Sequence, residues 1–198
     1  KLNNAQVRKK TSVTNIKYIN SEWVVTTSTG EYRSSIIVNA AGAWVDQISI
    51  LAGIGSIGFS PFRRSMARIP LPDSLSVSLW PFFSGPDEDW YAKPDAGQLI
   101  VSPAEEDLVE PHDAWAEELT LAQGISRYEE FVTTPVTKMS SNWAGLRTFS
   151  PDKSLVIGPS VKNPTFFFMA GQGGYGFQTA PAASNLLSEL IMGYSHDL

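Results

Sequence analysis

The chain predicts a mixed fold, α/β at its two ends and α+β in its middle. Three observations carry this expectation. Ile36-Ile37-Val38 is an unbroken apolar run that leads into the small residues Ala40-Ala41-Gly42; such a run fits a strand buried on both faces of a covered parallel sheet. Phe166–Ala170 is a second apolar run, followed by four glycines in six residues and then a helical stretch, 181–192. Between these ends, short apolar or aromatic stretches alternate with proline, glycine and aspartate, the texture of an antiparallel sheet.

Taken in order, Val13–Ile19, Glu22–Thr27 and 30–35 read as short strands, with Asn20-Ser21 and Ser28-Thr29-Gly30 as turns. Residues 32–39 lead into the buried strand. Trp44, Ile48 and Leu51 recur at helical spacing, so 44–51 reads as a helix that stops at Gly53. Strands are expected over 66–69, 77–83, 90–93 and Gln98–Ser102, with Pro94-Asp95-Ala96-Gly97 as a hairpin turn. Residues 105–113 form an acidic loop. Leu121, Ile125, Tyr128 and Val132 share one face of an expected helix over 114–131, despite Gly124. Residues 136–146 return as a strand, and from Leu155 onward the pattern is strand, strand, glycine loop, helix. The simplest organisation is two domains with crossed connectivity, residues 1–58 with 147–198 and residues 59–146; a single α+β domain is the alternative.

Composition narrows the function. The 198 residues are 42% hydrophobic, enough to bury one core or two small ones. No apolar run approaches the roughly 18 residues of a membrane span. The net charge of −5 and the scatter of basic residues, apart from Arg8-Lys9-Lys10, argue against nucleic-acid binding. The chain has no cysteine, which excludes internal disulfides and a thiol nucleophile. Its two histidines, His112 and His196, are far apart and read as solvated loop residues, so no metal site is expected.

Two motifs carry chemistry. A strand, a glycine-rich turn and a helix bring backbone N–H groups and a positive helix end toward an anionic ligand, and glycine suits a flat ligand lying on the main chain. A packed loop with no ligand is the competing reading of this stretch alone. Trp143-Ala144-Gly145-Leu146-Arg147 places an arginine at the end of an apolar stretch, just before the turn at Ser150-Pro151-Asp152. A guanidinium with a neighbouring hydroxyl is the best fixture for a carboxylate.

Five segments in this order, 38–44, 63–65, 91–97, 143–147 and 172–179, resemble the FAD-dependent D-amino-acid oxidase/dehydrogenase superfamily, which is glycine oxidase and sarcosine oxidase-like. Within that superfamily the segments resemble those of the bacterial D-arginine dehydrogenases. The resemblance runs from about Trp23 to the C-terminus. It implies an FAD-binding Rossmann-like domain in residues 1–58 and 147–198, and an antiparallel-sheet substrate domain in 59–146 that covers the flavin. It implies oxidation of the C–N bond of D-amino acids by hydride transfer to flavin N5. By the same resemblance Arg147 and Tyr91 hold the substrate carboxylate, Arg64 is a second substrate-side arginine, and Gln178 lies near the substrate amine or flavin edge. Gly42, Gly173, Gly174, Tyr175, Gly176, Phe177 and Gln178 are implied to contact the cofactor. The N–H groups of 173–177 and a helix starting near Thr179 would stabilise its reduced form, and the Gly174 carbonyl would accept from the amine. Arg64 is chosen over Arg63 by the resemblance; in an extended segment Arg63 points to the opposite face.

Such enzymes begin with a strand, a GxGxxG turn and a helix. The nearest candidates, residues 53–58 and 171–176, lie too late for that role, and the chain starts at Lys1. The expectation is therefore a C-terminal half that lacks its N-terminal βαβ, has the missing half as its partner, and retains neither FAD nor activity alone. Without cysteine, FAD is expected to be bound non-covalently. A small amino-acid or amine substrate, no nucleic-acid partner, no transmembrane segment, and a location in the cytoplasm or at a membrane periphery complete the reading. A secondary-amine oxidoreductase acting on sarcosine-like or proline-like substrates is the alternative within the fold, and a non-catalytic binding module is the alternative outside it. A preference for D-arginine or D-lysine is implied by the resemblance, with the matching anion in the missing half.

Overall fold

The computed structural model describes residues 5–72 and 74–194; His196 lies outside them. Contacts divide the chain into two compact units, Lys1–Phe59 with Thr148–Leu198, and Ser60–Arg147.

The first unit opens with a meander of β1 (Val13–Ile19), β2 (Glu22–Thr27) and β3 (Gly30–Ser34), each antiparallel to the next. Asn20 and Ser21 both take positive φ, 51° and 62°, which matches the tight turns that suit twisted hairpins. A second sheet has the order β11 (Val156–Pro159), β12 (Phe166–Ala170), β4 (Ile37–Asn39). β12 runs antiparallel to β11 and parallel to β4. Ile16, Trp23, Val45, Phe166, Phe168 and Ala170 form the core of this unit, and the Trp23 indole donates to Thr165 Oγ1 at 2.9 Å.

Two expectations for this unit need correction. The run 36–38 is not buried on both faces: Val38 is 41% exposed, because β4 is an end strand of its sheet and alternate side chains leave opposite faces. The helix after it is a 3-10 turn, Gly42–Trp44, followed by α1 (Val45–Leu51), whose buried residues are Val45 and Ser49; Trp44 and Leu51 are exposed. Asn39 turns that side inward. Its buried amide donates to Val45 O at 2.8 Å and Ser49 Oγ at 3.0 Å.

The last helix, α3, spans Gly176–Met192, five residues more than 181–192. The loop supplies Tyr175 O as acceptor for Thr179 N at 3.0 Å, so helical bonding starts before Pro181. Gly193 closes the helix at φ 72°, and Tyr194 N reaches back to Glu189 O at 3.0 Å.

The second unit is a sheet of order β10 (Ser141–Phe149), β5 (Ser60–Ile69), β8 (Gln98–Ser102), β7 (Tyr91–Asp95), β6 (Phe83–Ser84), with β9 (Asp107–Leu108) also on β5. Ala96 and Gly97, with φ 48° and 78°, close the β7–β8 hairpin between Asp95 and Gln98. Ile69, Val77, Trp90, Ala92, Leu99, Val101 and Tyr128 form the core of this unit.

The helix α2 covers Glu118–Glu129, not 114–131. Glu117 is extended, and its carboxylate is held by Arg63. Leu121, Gly124 and Tyr128 are its buried residues. Gly124 is a packing requirement: a Cβ there would overlap Cα and Cβ of Pro103. Residues 77–83 are not a strand except at Phe83; a turn closed by Trp80 N to Val77 O replaces its first half. β5 begins at Ser60 rather than 66, and β10 at Ser141 rather than 136.

Candidate functional site

The sheet of the second unit has two unlike faces. Register sets Ala67 beside Val101 and Val101 beside Ala92, all in the core. It sets Arg68 beside Ile100 and Ile100 beside Lys93 on the other face. Arg64, Met66 and Arg68 share that second face by the two-residue alternation of β5, and Tyr91 shares it with Lys93 on β7.

Arg64, Tyr91 and Arg147 come together on this face. Arg147 lies on β10 and Tyr91 on β7, three strand spacings apart, roughly 14 Å at the usual separation. Two long side chains bridge that span over β5 and β8. Arg147 Nη2 donates to the Tyr91 hydroxyl at 3.3 Å, and that hydroxyl contacts Met66 Sδ at 3.6 Å. The Arg64 guanidinium carbon lies 5.9 Å from the Tyr91 ring centre, and the Phe82 ring lies 5.2 Å from it on a 31° tilt. Arg147 lies near the end of β10, which stops at Phe149 just ahead of the turn closed by Lys153 N to Ser150 O.

The two arginines differ in charge balance. Arg64, 8% exposed, pairs with Glu106 at 3.0 Å. Arg147 has no ion pair among the described residues, so most of its five N–H donors stay available. Arg63 takes the opposite face of β5 and binds Glu117 and, at 2.7 Å, Asp107. The Glu117 hydrogen bond, with Asp107 behind it, holds the Arg63 guanidinium above its ordinary pKa against the opposing effect of burial.

The stretch 105–113 is therefore not a free acidic loop. Glu106 and Asp107 are bound by the paired arginines of β5, and part of the stretch is β9. Both carboxylate oxygens of Glu105 are buried without a hydrogen-bond partner.

In the first unit the glycine loop joins β12 to α3. Gly171 and Gly173 take positive φ, 78° and 50°. A Cβ on Gly173 would overlap the Phe149 ring, and one on Gly171 would sit 2.9 Å from Ser154 O. Gly173 N donates to Thr148 O and Tyr175 N to Gln172 O, both at 2.9 Å. The expectation that all N–H groups of 173–177 face a ligand is corrected accordingly: those of Gly173 and Tyr175 are engaged inside the protein. Gly176, Phe177 and Gln178 form the first turn of α3, whose N–H groups have no acceptor within the helix. No side chain caps that end, and Tyr175, Phe177 and Gln178 are exposed. Gly42, at φ 56°, follows the end of β4 and has open space where a Cβ would point.

Sequence reasoning missed Asp46. Its carboxylate accepts from Ser56 Oγ at 2.5 Å and from the N–H groups of Ile57, Gly58 and Phe59 at 2.9–3.0 Å. This fixes the glycine-containing loop 53–58, which continues into β5 and not into a helix. An acid in the first turn of a helix carries no local signal for a partner ten residues later.

The chain matches the model of the DAO family, FAD dependent oxidoreductase, over residues 1–190. It is 29% identical to FAD-dependent oxidoreductase domain-containing protein 1 of Bos taurus over 181 residues, covering 80% of this chain and 36% of that protein. Among solved structures it is similar to glycine oxidase from Geobacillus kaustophilus (TM-score 0.77, 18% identity, 95% of this chain and 50% of that one). It is also similar to L-proline dehydrogenase from P.horikoshii (TM-score 0.79, 23% identity, 97% and 52%). The chain thus spans about a third of the curated relative and half of each solved structure. No helix among the described residues is long and apolar enough to cross a membrane. The chain belongs to the DAO family of FAD-dependent oxidoreductases, with the mixed α/β fold of that family.

Proposed function

We propose that this member of the DAO family is the substrate-contacting part of an enzyme that oxidises the C–N bond of D-amino acids. The observation that carries this reading is the Arg147–Tyr91 hydrogen bond at 3.3 Å on the face away from the core, with Arg147 free of any ion pair among the described residues. The Arg147 fork would hold the substrate carboxylate with two parallel bonds. The Tyr91 hydroxyl fixes the fork and offers a further polar contact. Arg64, already balanced by Glu106, would add field strength and would not be the principal anchor. Gln178 and the Gly174 carbonyl would orient the amine.

When bound, FAD supplies the two-electron acceptor. The residues of the first unit fit such an anionic group on two observations, the uncapped first turn of α3 and the open space in front of Gly42. Gly42, Gly174, Gly176, Phe177 and Gln178 would hold it, with Gly173 and Tyr175 shaping the loop that presents them. On this reading the first unit would be the FAD-binding domain and the second the substrate domain. The pyrophosphate would be held by a GxGxxG segment outside these 198 residues, and this segment, with no cysteine, offers no cysteinyl link to the flavin ring. The 198-residue chain alone is then expected to purify without flavin, and one equivalent of bound flavin would overturn that part.

The test is anaerobic bleaching of the flavin in the full-length protein by D-amino acids, sarcosine and D-proline. Bleaching by D-amino acids is the expected result. Bleaching by sarcosine or D-proline alone would move the protein to the secondary-amine class, and no bleaching by any amine would make it a binding module.

A further inference from the structure

The face that carries Arg147 also carries an apolar wall, and its charges are lopsided. Pairing of Ser84 with Tyr91 and of Phe83 with Ala92 puts Phe83 on the core side, where its ring meets Trp90 at 6.0 Å. By alternation Phe82 falls on the Tyr91 side. A single exposed phenylalanine needs no explanation. Phe82 differs in that it is 60% exposed and yet holds its ring 5.2 Å from Tyr91, whose hydroxyl touches Arg147 and Met66. The same face bears the cations Arg64, Arg68, Lys93 and Arg147. Its acids, Glu106 and Asp95, are each already paired, with Arg64 and Arg68. Both carboxylate oxygens of Glu105 are buried.

We infer that Phe82, stacked on Tyr91, sets the side-chain class of the carboxylate ligand: an uncharged apolar group, and not the cationic one that the sequence resemblance implies. A carboxylate held at Arg147 and Tyr91 lays its neighbouring carbons along the Phe82 ring. Among the described residues, a cationic side chain there meets a surplus of positive charge and no unpaired anion on this face. An apolar one removes both its own surface and that of Phe82 from water. The inference rests on the proposed carboxylate site, but does not need the amine to be oxidised.

The experiment is therefore a binding measurement first. Full-length, flavin-loaded protein is titrated with 4-methylpentanoate, acetate and 4-guanidinobutanoate, read by flavin absorbance and by calorimetry. The wild type should bind 4-methylpentanoate about tenfold or more tighter than either other acid, the scale at which an apolar pocket discriminates. Phe82→Ala should erase most of that advantage and change acetate binding less than about threefold. Phe82→Leu should restore most of it, at unchanged flavin content. Equal weakening of acetate and 4-methylpentanoate by Phe82→Ala would overturn the inference, since Phe82 would then only support Tyr91. Tightest binding of the guanidino acid would overturn it as well. If the ranking holds while no amine bleaches the flavin, the ligand class stands and the amine-oxidising reading alone falls.

Discussion

The glycine loop of the first unit and the arginine–tyrosine cluster of the second are built in opposite ways. The loop is local in sequence. Its glycines lie within six residues, and the groups that crowd Gly173 and Gly171 are the Phe149 ring at the end of β10, Ser154 O in the turn after it, and the Phe59 ring. The cluster is assembled from Arg64, Tyr91 and Arg147 on three strands of one sheet and Phe82 on its flank. The loop offers backbone donors that no side-chain substitution removes, whereas the cluster offers side chains that depend on register. Substitutions in the loop should therefore act on stability, and substitutions in the cluster on ligand binding.

The sharpest test is Arg147→Leu in the full-length enzyme. Loss of a desolvated charge pair to the substrate carboxylate is expected to cost about 2–5 kcal/mol, a fall of orders of magnitude in kcat/KM with bound flavin retained. Arg64→Leu, which removes an arginine already balanced by Glu106, should cost less. A larger effect at Arg64 would reverse the assignment of the anchor.

Gly173→Ala should be the largest stability effect. A Cβ there overlaps the Phe149 ring at a positive φ, for which overpacking and left-handed strain together suggest about 2–4 kcal/mol. Chemical denaturation measures it. A neutral Gly173→Ala would mean that the loop repacks freely and that its glycines serve something other than packing.

Gly42→Ala sharpens the contrast. Gly42 has positive φ but open space in front of it, so only the strain remains, about 1–2 kcal/mol. Flavin affinity of the full-length protein should weaken if a ligand lies against this position. Loss of stability with unchanged flavin affinity would remove Gly42 from the cofactor site.

The smallest expected effect is a pH dependence beside the loop. Asp152 accepts from Ser154 N at 3.0 Å and Ser150 Oγ at 2.8 Å, and these bonds hold its carboxyl below the usual range. A depressed folded-state pKa adds stability that is present above the ordinary carboxylate value, about 3.9, and is lost as pH falls through the folded value. Melting temperatures of wild type and Asp152→Asn should differ at neutral pH and converge on acidification. A constant gap would locate the effect in packing instead.

How much of this was legible beforehand follows the range of the forces involved. Turns at Asn20-Ser21 and Ala96-Gly97 and the strands beside them are set by φ preferences and hydrogen bonds that act over two to four residues. These stand in the residues themselves. Arg147 and Tyr91 could be singled out as residue types, but their meeting over Met66 needs the order β10-β5-β8-β7.

The pairing of Arg64 with Glu106, the need for glycine at 124, the exposure of Val38 and the turn that replaces the first half of a strand over 77–83 left no mark on local pattern. Each depends on what the fold brings alongside: a carboxylate 42 residues away, the backbone of Pro103, the edge of a sheet. By itself the sequence determined the hairpin turns at Asn20-Ser21 and Ala96-Gly97, most of the strands and helices, and the residues capable of the chemistry, because those rest on short-range sterics and hydrogen bonding. Only the tertiary structure decided which arginine is left with an uncompensated charge and which face is apolar, because charge pairing and burial are properties of neighbours in space.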